Sequence, residues 1–140
     1  MKIKVTKHDR IFSQCIRERD DHTCQWCGRQ DGTLACSHIY GRRGAGTRHH
    51  PLNAKTLCYS CHRRWHENPV EAFKWVEGYL GTANLDRLRR MAHSTCKLTK
   101  QDKVDIYEHY KRELVRLEGI RKGGATGPLV LEVPECLAIQ

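Results

Sequence analysis

Cys24-Gln25-Trp26-Cys27, Ser37-His38-Ile39, Asn53 and Cys58-Tyr59-Ser60-Cys61-His62 form one series in the first half of the chain. A Cys pair with a two-residue gap lets one turn present both sulfurs to a single ion. Two such pairs supply four thiolates, enough to close a tetrahedral zinc site with Zn–S near ~2.3 Å and no open position for substrate. Cys24, Cys27, Cys58 and Cys61 are therefore expected to hold structural zinc. The segment between the pairs has room for a hairpin and a loop, and the second pair opens a short helix through His62, Trp65 and His66. His38, Asn53 and His62 are threaded through this clasp without belonging to it.

Outward from the series, the elements follow from periodicity. Ile3 and Val5 suggest a short opening strand. Residues 9–20 carry Ile11, Phe12, Cys15 and Ile16 at helical spacing with a polar back. Gly28 gives the first knuckle its backbone freedom. Asp31-Gly32 signals a hairpin leading into a strand over 33–40. Residues 41–51, with three Gly and three Arg, read as a mobile loop. Asn68-Pro69 ends one helix and starts another. The second half reads as helical. Val70, Phe73, Val76 and Tyr79/Leu80 form one stripe. Leu85, Leu88, Met91/Ala92 and Thr95 form a second, with Asn84 as its cap. Thr99 caps a third helix to about Glu118, with Val104, Tyr107, Tyr110, Leu114 and Leu117 on one side. Leu129–Val133 reads as a strand or docking segment. The expected organisation is α+β: a zinc domain over 1–68, a helical extension over 69–122 and a flexible or docking tail over 123–140.

The 140 residues carry a formal charge of +9, and it is lopsided. Through His66 there are 13 Lys and Arg against 5 Asp and Glu, a net +8; beyond it 12 stand against 11, a net +1. A basic first half that also holds the metal motif points to nucleic acid as partner. Met1–Lys7 has no apolar core behind it, so no signal peptide is expected. No run approaches the ~20 apolar residues of a membrane span. The Cys-x-x-Cys pairs then read as metal ligands in a reducing, cytoplasmic compartment, and Cys15, Cys36, Cys96 and Cys136 as free thiols.

Phosphodiester hydrolysis needs a base for water, a cation on the phosphate and groups that grip the backbone. His38, beside the glycine-rich loop, suits a general base because imidazole titrates near working pH. His62, held by the knuckle, suits a ligand for a catalytic divalent ion. His66 lies one helical turn on and can join it or pack beside Trp65. Asn53 can bridge loop backbone groups and hold the His38 segment, or be an ordinary turn residue. Arg42, Arg43, Arg48, Arg63 and Arg64 are candidates to grip phosphates. His49 and His50 are further histidines of the loop.

Arg17-Glu18-Arg19-Asp20, Cys24-x-x-Cys27-Gly28, Ser37-His38-Ile39 and Asn53-x-x-x-Leu57-Cys58-x-x-Cys61-His62 resemble the HNH endonucleases over roughly residues 10–68. The resemblance implies a small zinc-stabilised ββα-metal, treble-clef-like fold. It also implies His38 as base, Asn53 as a mainly structural residue and His62 as ligand of Mg²⁺ or Mn²⁺. One departure is plain: many members carry a metal-binding Asp just before the base His, and here that residue is Ser37. Phe12-Ser13, Ile16-Arg17, Arg19-Asp20 and Val76-Glu77-x-Tyr79-Leu80-Gly81, with Tyr107, Tyr110 and Leu114, resemble phage NinG/Rap recombination nucleases. That resemblance implies cutting of Holliday junctions, D-loops or flaps in the cytoplasm of a bacterial host. Paired cuts in a junction favour a homodimer through the third helix of the extension, whose apolar side otherwise serves core packing, the favoured reading of that helix. The competing expectations are a non-catalytic zinc DNA-binding module, favoured by Ser37, and a nuclease directed at RNA.

Overall fold

A computed structural model describes residues Lys2–Ala138; Met1, Ile139 and Gln140, the last two in the expected tail, lie outside the described residues. The first helix, α1 (Lys7–Arg19), opens on a capping box. Asp9 N–H donates to Thr6 Oγ1 and the Asp9 carboxylate accepts the Thr6 N–H, which satisfies donors the first turn would otherwise leave unpaired. Its apolar face buries Phe12, Cys15 and Ile16. After the first knuckle, β1 (Leu34–His38) pairs antiparallel with β2 (Ala54–Cys58). In that register His38 lies opposite Ala54, Ser37 opposite Lys55 and Leu34 opposite Cys58. The connection holds α2 (Ala45–Arg48) and a 3-10 turn at Pro51–Asn53. Then come α3 (Tyr59–Glu67), α4 (Pro69–Leu80), α5 (Thr82–Ala92), α6 (Lys100–Lys122) and α7 (Glu135–Ala138).

The two-stranded sheet is small and gains its cover from both sides. Phe12, Cys15 and Ile16 of α1 form one core with Ala54, with Ile106, Tyr110 and Leu117 of α6, and with Leu131 and Leu137 of the tail. A second cluster joins Leu57, Cys24, Cys58 and Cys61, with Trp26, Trp65 and Trp75 packed against it. Trp26 and Trp75 stack at 5.0 Å, which lays α4 on the first knuckle.

The buried Asp20 carboxylate joins the two halves of this arrangement. It accepts the Thr56 N–H of β2 at 2.9 Å and two bonds from Arg19 at 2.8 and 3.1 Å. Arg19 also donates to the carbonyls of Pro51 and Ala54, each at 2.8 Å. The end of α1 is thus fastened to both ends of the turn that feeds β2.

Several expectations are corrected. Ile3 and Val5 form no strand. The loop over 41–51 contains α2 and the 3-10 turn. Residues 129–133 form no strand but dock, with Leu131 buried and Leu129 and Val133 packed on the main core. The main core draws on all three segments, 1–68, 69–122 and 123–140, through α1, α6 and the tail. On α4 the buried residues are Ala72 and Val76, while Val70 and Phe73 are 85% and 58% exposed. On α5 the N-cap is Gly81, and Asn84 lies inside the helix. Thr99 does cap α6, through a second capping box. The α6 face that buries Ile106, Tyr110, Glu113 and Leu117 packs inside the chain, while Val104 is exposed.

Replacing Asp20 with alanine leaves the Thr56 N–H and the Arg19 guanidinium without their buried acceptor. Asp20→Ala is expected to lower stability by about 3 kcal/mol in urea denaturation; a loss under about 1 kcal/mol would show that the other Arg19 bonds suffice.

Candidate active site and metal centre

The four knuckle cysteines converge. Their sulfurs all lie within 4.8 Å of one another, and Cys27 Sγ is 3.7 Å from Cys58 Sγ. Four sulfurs at tetrahedral corners, each ~2.3 Å from zinc, stand ~3.8 Å apart, so the cluster fits a metal ion such as zinc. Cys24, Cys58 and Cys61 are buried and Cys27 is exposed. The first knuckle closes through Gly28 N–H to Cys24 O at 2.9 Å, with Gly28 at φ +81°. It docks on β2 through Gln25 N–H to Thr56 O at 2.9 Å. Burial pushes the Cys24 thiol up, but backbone N–H groups of Cys27, Cys58 and Trp26 outweigh it and bring its pKa to about 7.

An open cleft of ≈ 620 Å³ runs along the whole of β1. One wall is α1, through Asp9, Arg10, Ser13 and Arg17; the other is α3, through His62 and His66; Arg42 closes one end. His38 lies on the floor. Its Nε2 is 3.0 Å from the Arg48 carbonyl, an acceptor only, so Nε2 carries the hydrogen and Nδ1 is left with a lone pair. Burial lowers the His38 pKa below 6.5, against the pull of that carbonyl. His62 and His66 bring their Nε2 atoms to 3.1 Å. Two imidazoles ~2.1 Å from one ion at a cis angle stand about 3 Å apart, so the pair fits a divalent ion. Burial, then the neighbouring His66, also lowers the His62 pKa, which keeps its lone pair available.

Asn53 does not reach the cleft. It is fully buried; its Oδ1 accepts the Tyr40 N–H at 2.8 Å, and its Nδ2 donates to Tyr40 O at 2.8 Å and Thr47 O at 3.0 Å. It bridges the loop backbone beside His38, which makes it a positioning residue. Ser37 is also buried, and its Oγ accepts from Lys55 Nζ at 3.2 Å.

The arginines expected to grip phosphates divide. Arg42 lines the cleft. Arg48 does not: it forms a two-pronged pair with Asp9 at 2.9 and 2.6 Å and donates to Lys4 O at 2.9 Å. Burial pushes the Asp9 carboxyl up, but Arg48, the Thr6 N–H and His49 hold it well below the usual carboxylate range. Arg63 pairs with Glu67, and Arg64 pairs with Glu71 while lying 4.2 Å over the Trp26 ring. Arg43 borders a neighbouring pocket with Tyr40 and Thr47. His49 turns inward to Asp9 at 2.8 Å, and His50 accepts the Leu52 N–H through Nδ1.

Arg10 and Arg17 are cleft residues the sequence reading passed over. Their signal was the polar stripe Arg10, Ser13, Arg17 at i, i+3 and i+7 on α1. Comparison of the chain with family models, with curated proteins and with solved structures found no match.

One metal ion per chain is expected from elemental analysis of protein purified without chelator. Cys58→Ser should lose it and, because three tryptophans pack on the cluster, lose near-ultraviolet dichroism as well. A metal-free variant with the parent's aromatic spectrum would show that the cluster does not depend on an ion.

Proposed function

We propose that the protein is a divalent-metal-dependent DNA endonuclease of the HNH kind, with β1, β2 and α3 as its ββα-metal unit and structural zinc in the four-cysteine site. Branched recombination intermediates such as Holliday junctions are its proposed substrates. The observation that carries the reading is His38 on the floor of a basic cleft, its Nε2–H committed to the Arg48 carbonyl and its Nδ1 lone pair free, in the same cleft as the His62/His66 pair. His38 Nδ1 takes a proton from water, and the resulting hydroxide attacks phosphorus opposite the leaving 3′ oxygen. Arg10, Arg17 and Arg42 hold the flanking phosphates. When bound at His62 and His66, Mg²⁺ or Mn²⁺ would neutralise charge on the phosphate and the leaving oxygen. A non-catalytic zinc DNA-binding module is the second reading. It draws support from Ser37, whose hydroxyl is engaged by Lys55 where a carboxylate ligand would help hold the ion.

The test is cleavage of a labelled four-way junction against linear duplex of the same sequence, with Mg²⁺ or Mn²⁺. His38→Ala is expected to cut at least 100-fold more slowly while keeping its metal and fold. A gel shift without nicking in either ion would favour the binding module, and equal cutting of both DNAs would remove the branched-substrate preference.

The pH profile has a defined sign. The base works as neutral imidazole, so activity is present above its pKa and lost as pH falls through it. Because burial lowers that pKa, the acid limb is expected below pH 6.5. An acid limb at or above that value would place the base in an exposed ring.

A further inference from the structure

Lys55 lies on β2 opposite Ser37 and is fully buried. Its ammonium sits 3.2 Å from the centre of the Trp65 ring and donates to Ser37 Oγ at 3.2 Å. No carboxylate among the described residues forms an ion pair with it. Lysine is almost never fully buried without a counter-charge, because the ring face and one hydroxyl replace only part of the lost hydration. A methionine would fill a similar space without that cost, so packing alone does not account for the residue.

Its surroundings do. Ser37 is the chain neighbour of His38, and Trp65 sits on α3 between His62 and His66. Both neighbours border the cleft: Ser37 and His38 line it on β1, and His62 and His66, which flank Trp65 in the chain, line it on α3. We propose that Lys55 is the fixed cation of the site, held beneath the cleft floor by Trp65 and Ser37, where it draws a nucleic-acid phosphate between His38 and the His62/His66 pair. Because it is fully buried, it acts through the field it sets up. The inference rests on the reading of this cleft as the phosphodiester site. Burial pulls the Lys55 pKa down to about 7, and an arriving phosphate favours the charged form, so binding and protonation reinforce each other.

The same charge has two opposite effects. It attracts the phosphate and repels a divalent ion at the His62/His66 pair. Lys55→Met, and Lys55→Gln as a polar alternative, are to be compared with the parent by four-way-junction binding without added divalent ion, Mn²⁺ titration of cutting, and thermal melting. The expected result is about tenfold weaker junction binding, half-maximal cutting at lower Mn²⁺, and a melting temperature equal to or above the parent's. A residue needed only for packing would weaken both ligands together and lower the melting temperature, which overturns the proposal. So do unchanged junction affinity and collapse of both variants. The double variant Arg10→Gln, Arg17→Gln tests the cleft separately. If it binds and cuts like the parent, the phosphodiester reading itself falls, whatever Lys55 does.

Discussion

Four sulfurs drawn into a space 4.8 Å across set the geometry of the first half of the molecule. Burial and the neighbouring sulfurs push the Cys61 thiol up, since thiolates crowded together repel unless a cation lies among them. The strands they join have five residues each, too few for an isolated pair to be stable in water. The loop between the knuckles must also be closed at an entropic cost. An ion held by the four cysteines would answer both difficulties, because its binding energy would be folding energy. The consequence reaches the cleft directly. Since α3 starts on the second knuckle, the cluster places His62 and His66; since β1 pairs with the strand that ends in Cys58, the cluster also places His38.

The α1 wall is held by ion pairs and hydrogen bonds. Arg19 and Asp20 fasten the end of α1 to β2, and Asp9 near its start takes Arg48 from α2. One helix therefore meets the loop at both ends, and its polar stripe, Arg10, Ser13 and Arg17, is left facing the cleft. The division of arginines follows: Arg19 and Arg48 are engaged in architecture, whereas Arg10, Arg17 and Arg42 line the cleft, Arg42 at 3.9 Å from Asp9.

What could be read from the chain was whatever short spacing encodes. The Cys-x-x-Cys pairs, the strand of β1, the helix opening at the second pair and the Thr99 cap all depend on residues a few positions apart, and the structure has each of them. The hairpin expected at Asp31-Gly32 does not form among the described residues, because β1 takes the distant β2 as its partner. What could not be read depends on partners far apart. The loop over 41–51 looked mobile because its glycines are local and its anchors, Asp9 for Arg48 and Tyr110 for the His49 carbonyl, are not. The α4 stripe came out rotated, since Val70 and Phe73 fit the period but the helix is turned by Trp75 stacking on Trp26. Lys55 gave no warning because its strand is buried throughout and a lone Lys in such a strand reads as an edge residue.

The His–Asn–His series also separates by hydrogen-bonding capacity. The cleft asks for groups with a free lone pair, which a neutral imidazole supplies once its other nitrogen is bonded. The position of Asn53 asks for one acceptor and two donors at once, for the Tyr40 N–H and the carbonyls of Tyr40 and Thr47. Only a side-chain amide offers that set; a carboxylate of the same shape would meet two carbonyls with no hydrogen to give. Thr47 precedes Arg48, whose carbonyl fixes the His38 tautomer. The buried amide and the imidazole in the cleft are thus joined through two residues of α2: Asn53 holds Thr47, and the carbonyl of the next residue, Arg48, takes the hydrogen of His38 Nε2.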